Sequence, residues 1–194
     1  MNLPLDERPV IAVLAGSNGA GKSTFYHAHL RRAGLRLVNA DVLAQELGLD
    51  PYAAARAAGA VRDELVRQRE SFVFETVFSD PAGEKIGFLK SAVETGYNVI
   101  VCFIGLAGSL ISEERVAMRV LQGGHDVPSE KLAARFPRTL ANLQSALRQL
   151  PRVWIFDNTD LRMPYRLVAM VENARVLKLR RPVPKWLAPL LKTL

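Results

Sequence analysis

Residues 16–23 read GSNGAGKS, and this octet constrains the chain more than any other stretch. Gly16, Gly21, Lys22 and Ser23 take the fixed positions of G-x-x-x-x-G-K-[ST], a loop whose backbone N–H groups wrap a phosphate. Glycine lets the main chain approach the ligand, the lysine reaches the outer phosphates, and the hydroxyl reaches a magnesium ion. Upstream, PVIAVLA (9–15) is a short apolar run of the kind that forms a buried parallel strand. Downstream, residues 22–33 carry a helical pattern that Gly34 stops. That strand–loop–helix context separates a phosphate loop from an ordinary glycine-rich turn.

The rest of the chain repeats the alternation. LRLVN (35–39), SFVFET (71–76), YNVIVCFIGL (97–106) and RVWIFD (152–157) read as further strands. Asp50-Pro51 and Asp80-Pro81 each read as an N-cap followed by proline at the first helical position. Ser112 reads as the cap of a helix running to Gln122 and stopped by Gly123-Gly124. In 127–150, Leu132, Phe136, Leu140, Leu143, Leu147 and Leu150 recur at helical spacing, with a kink or restart expected at Pro137. Segments on either side of Glu172-Asn173-Ala174 suggest a hairpin, and PKWLAPLLKTL a short terminal helix. The expected fold is therefore α/β, a five-stranded parallel core sheet sandwiched by helices in one domain spanning 1–194. Residues 109–150 would form a helical lid, and 161–194 a C-terminal appendage with the hairpin.

Composition sets the outer limits. The 194 residues are 49% hydrophobic and 23% charged, ordinary for a globular chain with a sizeable core. The net charge of +7 is spread along the chain, which favours small anionic ligands over nucleic acid. A single cysteine, Cys102 in an apolar run, excludes an internal disulfide and fits a reducing cytoplasm. No secretory signal opens the sequence and no apolar run approaches a membrane span.

In parallel α/β sheets ligands bind beyond the carboxyl ends of the strands. The loop, Asp41, Glu75, Thr76 and Asp157 all fall there. Asp41 reads equally as a general base toward an attacking hydroxyl or as a helix N-cap. Glu75, directly after Phe-Val-Phe, calls for a metal, a substrate or a charged partner. Arg115 and Arg119 share one helix face, and Arg135 and Arg138 another, placed to offset charge on a moving phosphoryl group. Gly123-Gly124 would hinge the lid. His125 in GGHD is too little for a metal site and reads as a loop-fixing or substrate-contacting residue.

Taken in order, GSNGAGKST, NADVLA, FVFETVFSDP, RVAMRVLQGGHDVP, ANL and FDN resemble the short zeta-toxin family of bacterial P-loop kinases. FET and GGHDVP at these distances carry the resemblance more than the loop does. It implies a fold like that of nucleoside and shikimate-type kinases, and ATP-dependent phosphorylation of a hydroxyl on UDP-N-acetylglucosamine. It also implies an antitoxin that blocks the nucleotide site. Carried over, Gly16, Ser17, Asn18, Gly19, Ala20, Gly21, Lys22, Ser23 and Thr24 would bind ATP, with Ser23 on Mg²⁺. Asp41 becomes the base, and Arg119 and Arg135 the phosphate-clamping arginines. Asp41, Glu75, Thr76, His125 and Arg138 become the acceptor side. Val77, Ala134 and Pro137 depart from the family pattern. Competing expectations are a kinase of another nucleotide or small alcohol, an ATPase or switch acting on a protein, and a polynucleotide kinase, for which no stacking platform is visible.

Overall fold

The computed structural model describes residues 3–123 and 127–194. Seven strands form one sheet in the order β2-β3-β1-β4-β5-β6-β7. β1 (Val10–Ala15), β2 (Arg36–Val38), β3 (Phe72–Thr76), β4 (Asn98–Gly105) and β5 (Arg152–Asp157) run parallel. The hairpin β6 (Arg166–Glu172) and β7 (Arg175–Leu179) joins antiparallel at the β5 edge. The expected five-stranded core is thus extended to seven strands. Asn173 and Ala174 turn the hairpin with positive φ of 47° and 59°, matching the primed turns that suit strand twist.

β1 is buried on both faces, which is why its sequence is an unbroken apolar run. Ile11, Val13, Phe72, Phe74, Val101 and Phe103 enter one core layer with Leu143 and Leu147; Val10, Ala12, Leu14, Ile100 and Cys102 enter the other with Phe25 and Leu30. The helix after the phosphate loop begins as α1 (Lys22–Phe25), loosens into a π turn (Tyr26–Leu30) and a 3-10 turn (Arg31–Ala33), and ends at Gly34 with φ +67°. α2 is Ala40–Leu47 and α3 is Pro51–Arg67, the latter capped as expected by the Asp50 carboxylate on the Tyr52 and Ala53 N–H groups.

Two expected caps are corrected. α4 (Glu84–Glu94) starts after Gly83, because the Asp80 carboxylate accepts from Lys85 N–H while Asn142 binds the Asp80 carbonyl. α5 (Ser109–Leu121) starts three residues before Ser112, whose hydroxyl instead donates to the Asn18 carbonyl at 2.6 Å. α6 (Ser129–Gln149) continues through Pro137 without a restart. Its buried face, with Leu132, Leu143 and Leu147, holds it to the rest of the fold. α7 (Ala188–Leu191) is the short terminal helix. No helix among the described residues is long and apolar enough to cross a membrane.

Candidate functional site

The phosphate loop links β1 to α1 at the carboxyl end of the sheet. Gly16 has φ +146° and a Cβ there would sit 2.2 Å from the Ile104 carbonyl oxygen, so only glycine lets β1 leave the sheet beside β4. Gly21 has φ +89°, and a Cβ there would meet Tyr165 Oη at 2.8 Å and Asn158 Nδ2 at 2.9 Å. That close approach holds the loop: Tyr165 donates to the Gly21 carbonyl at 3.0 Å and Asn158 to the Ala20 carbonyl at 2.8 Å. From the other side, α5 packs on Gly19 and Ser112 holds Asn18. The loop is therefore held from both sides.

Its interior is polar and unsatisfied. Ser17 Oγ and Asn18 Oδ1 are buried with no hydrogen-bond partner among the described residues. Lys22 is 6% exposed; its ammonium donates to the Ser17 carbonyl at 3.0 Å and lies 3.8 Å from Glu75 Oε1. Burial pushes the Lys22 ammonium below its ordinary value, and the Glu75 carboxylate opposes that shift. The buried Ser17 hydroxyl and the buried Lys22 ammonium are donors that a bound polyphosphate would satisfy. The donor set fits ATP, and the Ser23 hydroxyl with the adjoining Glu75 carboxylate fits Mg²⁺.

Glu75 is the hub of the site. Its Oε2 accepts from Ser23 Oγ at 2.9 Å and from Asn39 Nδ2 at 3.1 Å. The register Leu14↔Glu75 places it beside the loop. Thr76 serves its own turn, its hydroxyl accepting from Phe78 N–H. Asp41 lies in the first turn of α2, and its charge is felt at Lys22. It is not the cap: Asn39 is, with its Oδ1 accepting from Asp41 N–H at 2.8 Å. That removes the capping alternative for Asp41.

The arginines divide. Arg119, on α5, acts electrostatically on Lys22 and opposes its charge. Arg115 donates to the Thr159 carbonyl at 3.0 Å, joining α5 to the turn after β5. The Arg138 guanidinium binds the Ala134 carbonyl of its own helix, and no hydrogen bond or ion pair joins the Arg135 or Arg138 side chain to the loop among the described residues. His125 and Gly124 fall outside the described residues. α6 is anchored next to the site: Thr139 donates to the Val77 carbonyl and Asn142 to the Phe78 carbonyl. Asp157 is occupied by Thr159, Arg166 and the Trp186 indole. Sequence reading missed Asn39, Asn158 and Tyr165. Asn39 had a signal, an Asn at a strand end opening a helix, whereas the other two act through contacts more than a hundred residues away in sequence.

No curated protein matches the sequence. Among solved structures, the chain is similar to AvrRxo1-ORF1 in its complex with ORF2 and ATP, at 19% identity and a TM-score of 0.70, covering 96% of this chain and 63% of that one. It is also similar to a chain of the PezAT toxin-antitoxin system of Streptococcus pneumoniae, at 18% identity, TM-score 0.53, covering 78% and 68%. A gluconokinase from Sinorhizobium meliloti 1021 matches at 21% identity, TM-score 0.50, covering 78% and 83%. The chain spans less than two thirds of the AvrRxo1 chain it matches. These likenesses are to the P-loop kinase-like fold. A family model described as "AAA domain" matches residues 11–178, from the first strand to the last, and the chain belongs to that family.

Proposed function

We propose that the protein is an ATP-dependent kinase that transfers the γ-phosphate to a hydroxyl of a small acceptor, a nucleotide-activated sugar of the UDP-N-acetylglucosamine type, in the manner of a zeta toxin. The observation that carries this reading is the joining of Lys22, Ser23, Glu75 and Asn39 at the loop with Asp41 held free of capping duty. The kinase-like fold and the toxin and gluconokinase neighbours support it.

In this reading the loop amides and Lys22 hold the triphosphate, and Arg119 offsets charge on its outer end. Ser23, with Glu75 behind it, would hold Mg²⁺, which would supply further positive charge to offset that of the phosphates. Asp41 takes the proton from the acceptor hydroxyl, whose oxygen attacks the γ-phosphorus in line. The bond from the γ-phosphorus to the bridging oxygen breaks, and ADP leaves with that oxygen. α5 and α6 would form the lid, with Arg135, Arg138 and His125 reaching the reactants on closure. Glu75, placed against Ser23, is assigned here to the metal side and Thr76 to shaping the acceptor wall. A partner of antitoxin type would act on the nucleotide site, in the cytoplasm where ATP and nucleotide sugars are found.

The test incubates the protein with ATP, Mg²⁺ and a panel of nucleotide sugars, then looks by mass spectrometry for an acceptor that gains one phosphoryl group. Asp41→Asn should keep ATP affinity and lower turnover by roughly 10²-fold or more. Unchanged turnover in that variant would remove Asp41 as the base; a different sugar nucleotide gaining the group would replace the acceptor.

A further inference from the structure

The pairing that builds the hairpin side of the sheet also leaves part of one face open. Trp154 on β5 stands opposite Met170 on β6, and Met170 stands opposite Lys178 on β7. Cross-strand partners project to the same face, so these three side chains form a row across the sheet. Trp154 and Met170 belong to the core layer that also holds Phe25 and Leu30 of the α1 segment. At the border of that segment, where His29 stands, the face opens into a cavity of about 500 Å³. His29, Trp154, Tyr165, Met170, Lys178 and Arg180 help to line it. That volume lies within the range of small-molecule sites.

Three observations give the cavity a chemistry. Trp154 is 5% exposed, yet its indole Nε1–H has no acceptor among the described residues; a buried donor left unpaired is destabilising. Lys178 and Arg180 line the same cavity, and neither side chain forms an ion pair among the described residues. Arg166, also on the wall, is by contrast already bound to Asp157 and to the Pro182 carbonyl. Finally, Trp154, Leu167 and Met170 supply an apolar wall beside these donors.

We propose that this cavity is a second binding site, separate from the phosphate loop, for a small molecule that joins an aromatic ring to a phosphate or carboxylate. The ring lies against Trp154 and Met170. The anion lies between Lys178 and Arg180, and its oxygens supply the acceptor that the Trp154 indole lacks. Tyr165 links this site to the loop. Its ring meets Phe25 at 5.2 Å and His29 at 5.9 Å, and its hydroxyl holds the Gly21 carbonyl. An occupant that braces Tyr165 and His29 braces the last glycine of the phosphate loop, so it raises nucleotide affinity, and nucleotide raises its affinity in return.

Phenyl phosphate is a suitable probe, added to the full chain with the phosphate loop already saturated by a non-hydrolysable ATP analogue and Mg²⁺. Nitrogen–proton correlation spectra resolve the two indole N–H groups, assigned with Trp186→Phe. The expected result is a saturable shift of the Trp154 indole signal, and a dissociation constant weakened roughly tenfold in the Lys178→Ala/Arg180→Ala variant. Both substituted positions are exposed, and the dispersion of the variant's spectrum reports its folding. No shift at saturating probe, or an unchanged dissociation constant in the double variant, would overturn the site. An ATP-analogue affinity indifferent to phenyl phosphate would overturn the coupling. Neither readout depends on turnover, so the result stands apart from the identity of the phosphoryl acceptor.

Discussion

Replacing Glu75 with glutamine should loosen the nucleotide-free protein and leave ATP able to repair it. The Glu75 carboxylate lies 3.8 Å from the Lys22 ammonium, and both side chains are largely buried, at 11% and 7% exposed. At that separation and an effective dielectric constant of about 20, the charge pair contributes about 4 kcal/mol before costs, which sets the ceiling. Glutamine keeps the shape and can still accept from Ser23 and Asn39, although those bonds lose their charge assistance. The field of Asp41 on Lys22 also persists. A net loss of about 2 kcal/mol follows, or roughly 4–8 °C in Tm for a chain of this size. A bound triphosphate supplies Lys22 with the negative charge that Glu75 no longer does, and it no longer meets a carboxylate next to its own oxygens. Magnesium-free ATP should therefore raise the Tm of Glu75→Gln by more than it raises that of the parent, while added Mg²⁺ should help the variant less. Thermal melts in EDTA, with ATP, and with ATP plus Mg²⁺ decide the matter. A nucleotide-free Tm within about 1 °C of the parent, or equal shifts on adding ATP, would refute the reasoning.

Gly105→Ala would place a Cβ 2.2 Å from the Trp186 ring and drive that ring off the sheet. A loss of about 1–3 kcal/mol is expected, with a change in tryptophan fluorescence as the Trp186 indole leaves Asp157; parent-like melting and emission would count against it. Burial pushes the Cys102 thiol from its ordinary 9.0 up to about 12. Below pH 9 this has no effect on stability, but between 9 and about 12 the unfolded chain releases a proton that the native state retains, so stability falls as pH rises. Cys102→Ala should show a flatter alkaline decline in denaturant melts. A thiol reagent at pH 8 should label Cys102 only as fast as the protein opens, and prompt stoichiometric labelling of the native protein would contradict the burial argument.

The sequence by itself determined the central parallel strands, because β1, β3, β4 and β5 carry short apolar runs closed by glycine, proline or a polar cluster, and a strand buried on both faces admits little else. It also determined the phosphate loop, since φ values such as +146° at Gly16 and +89° at Gly21 demand glycine at fixed spacing. Local signals failed where a distant group competed for the same atoms. Asp80 and Ser112 resemble caps, but the Asp80 carbonyl is held by Asn142, 62 residues away, and the Ser112 hydroxyl takes the Asn18 carbonyl, 94 residues away, and both helices start elsewhere. The hairpin was legible as a hairpin; that it would extend the main sheet was not, because edge pairing depends on which strand it meets. The same holds for Glu75. The sequence marked it as a charge needing a partner, but only the parallel register against β1, with strand alternation turning it away from Phe74, set it against Ser23 and Lys22. Asn158, the last residue of FDN, and Tyr165 clamp the loop from the far end of the chain, and nothing local to either residue says which atoms it holds. Their role exists because the sheet brings the end of β5 beside the end of β1's neighbour β4, and a contact of that kind is written in the tertiary structure alone.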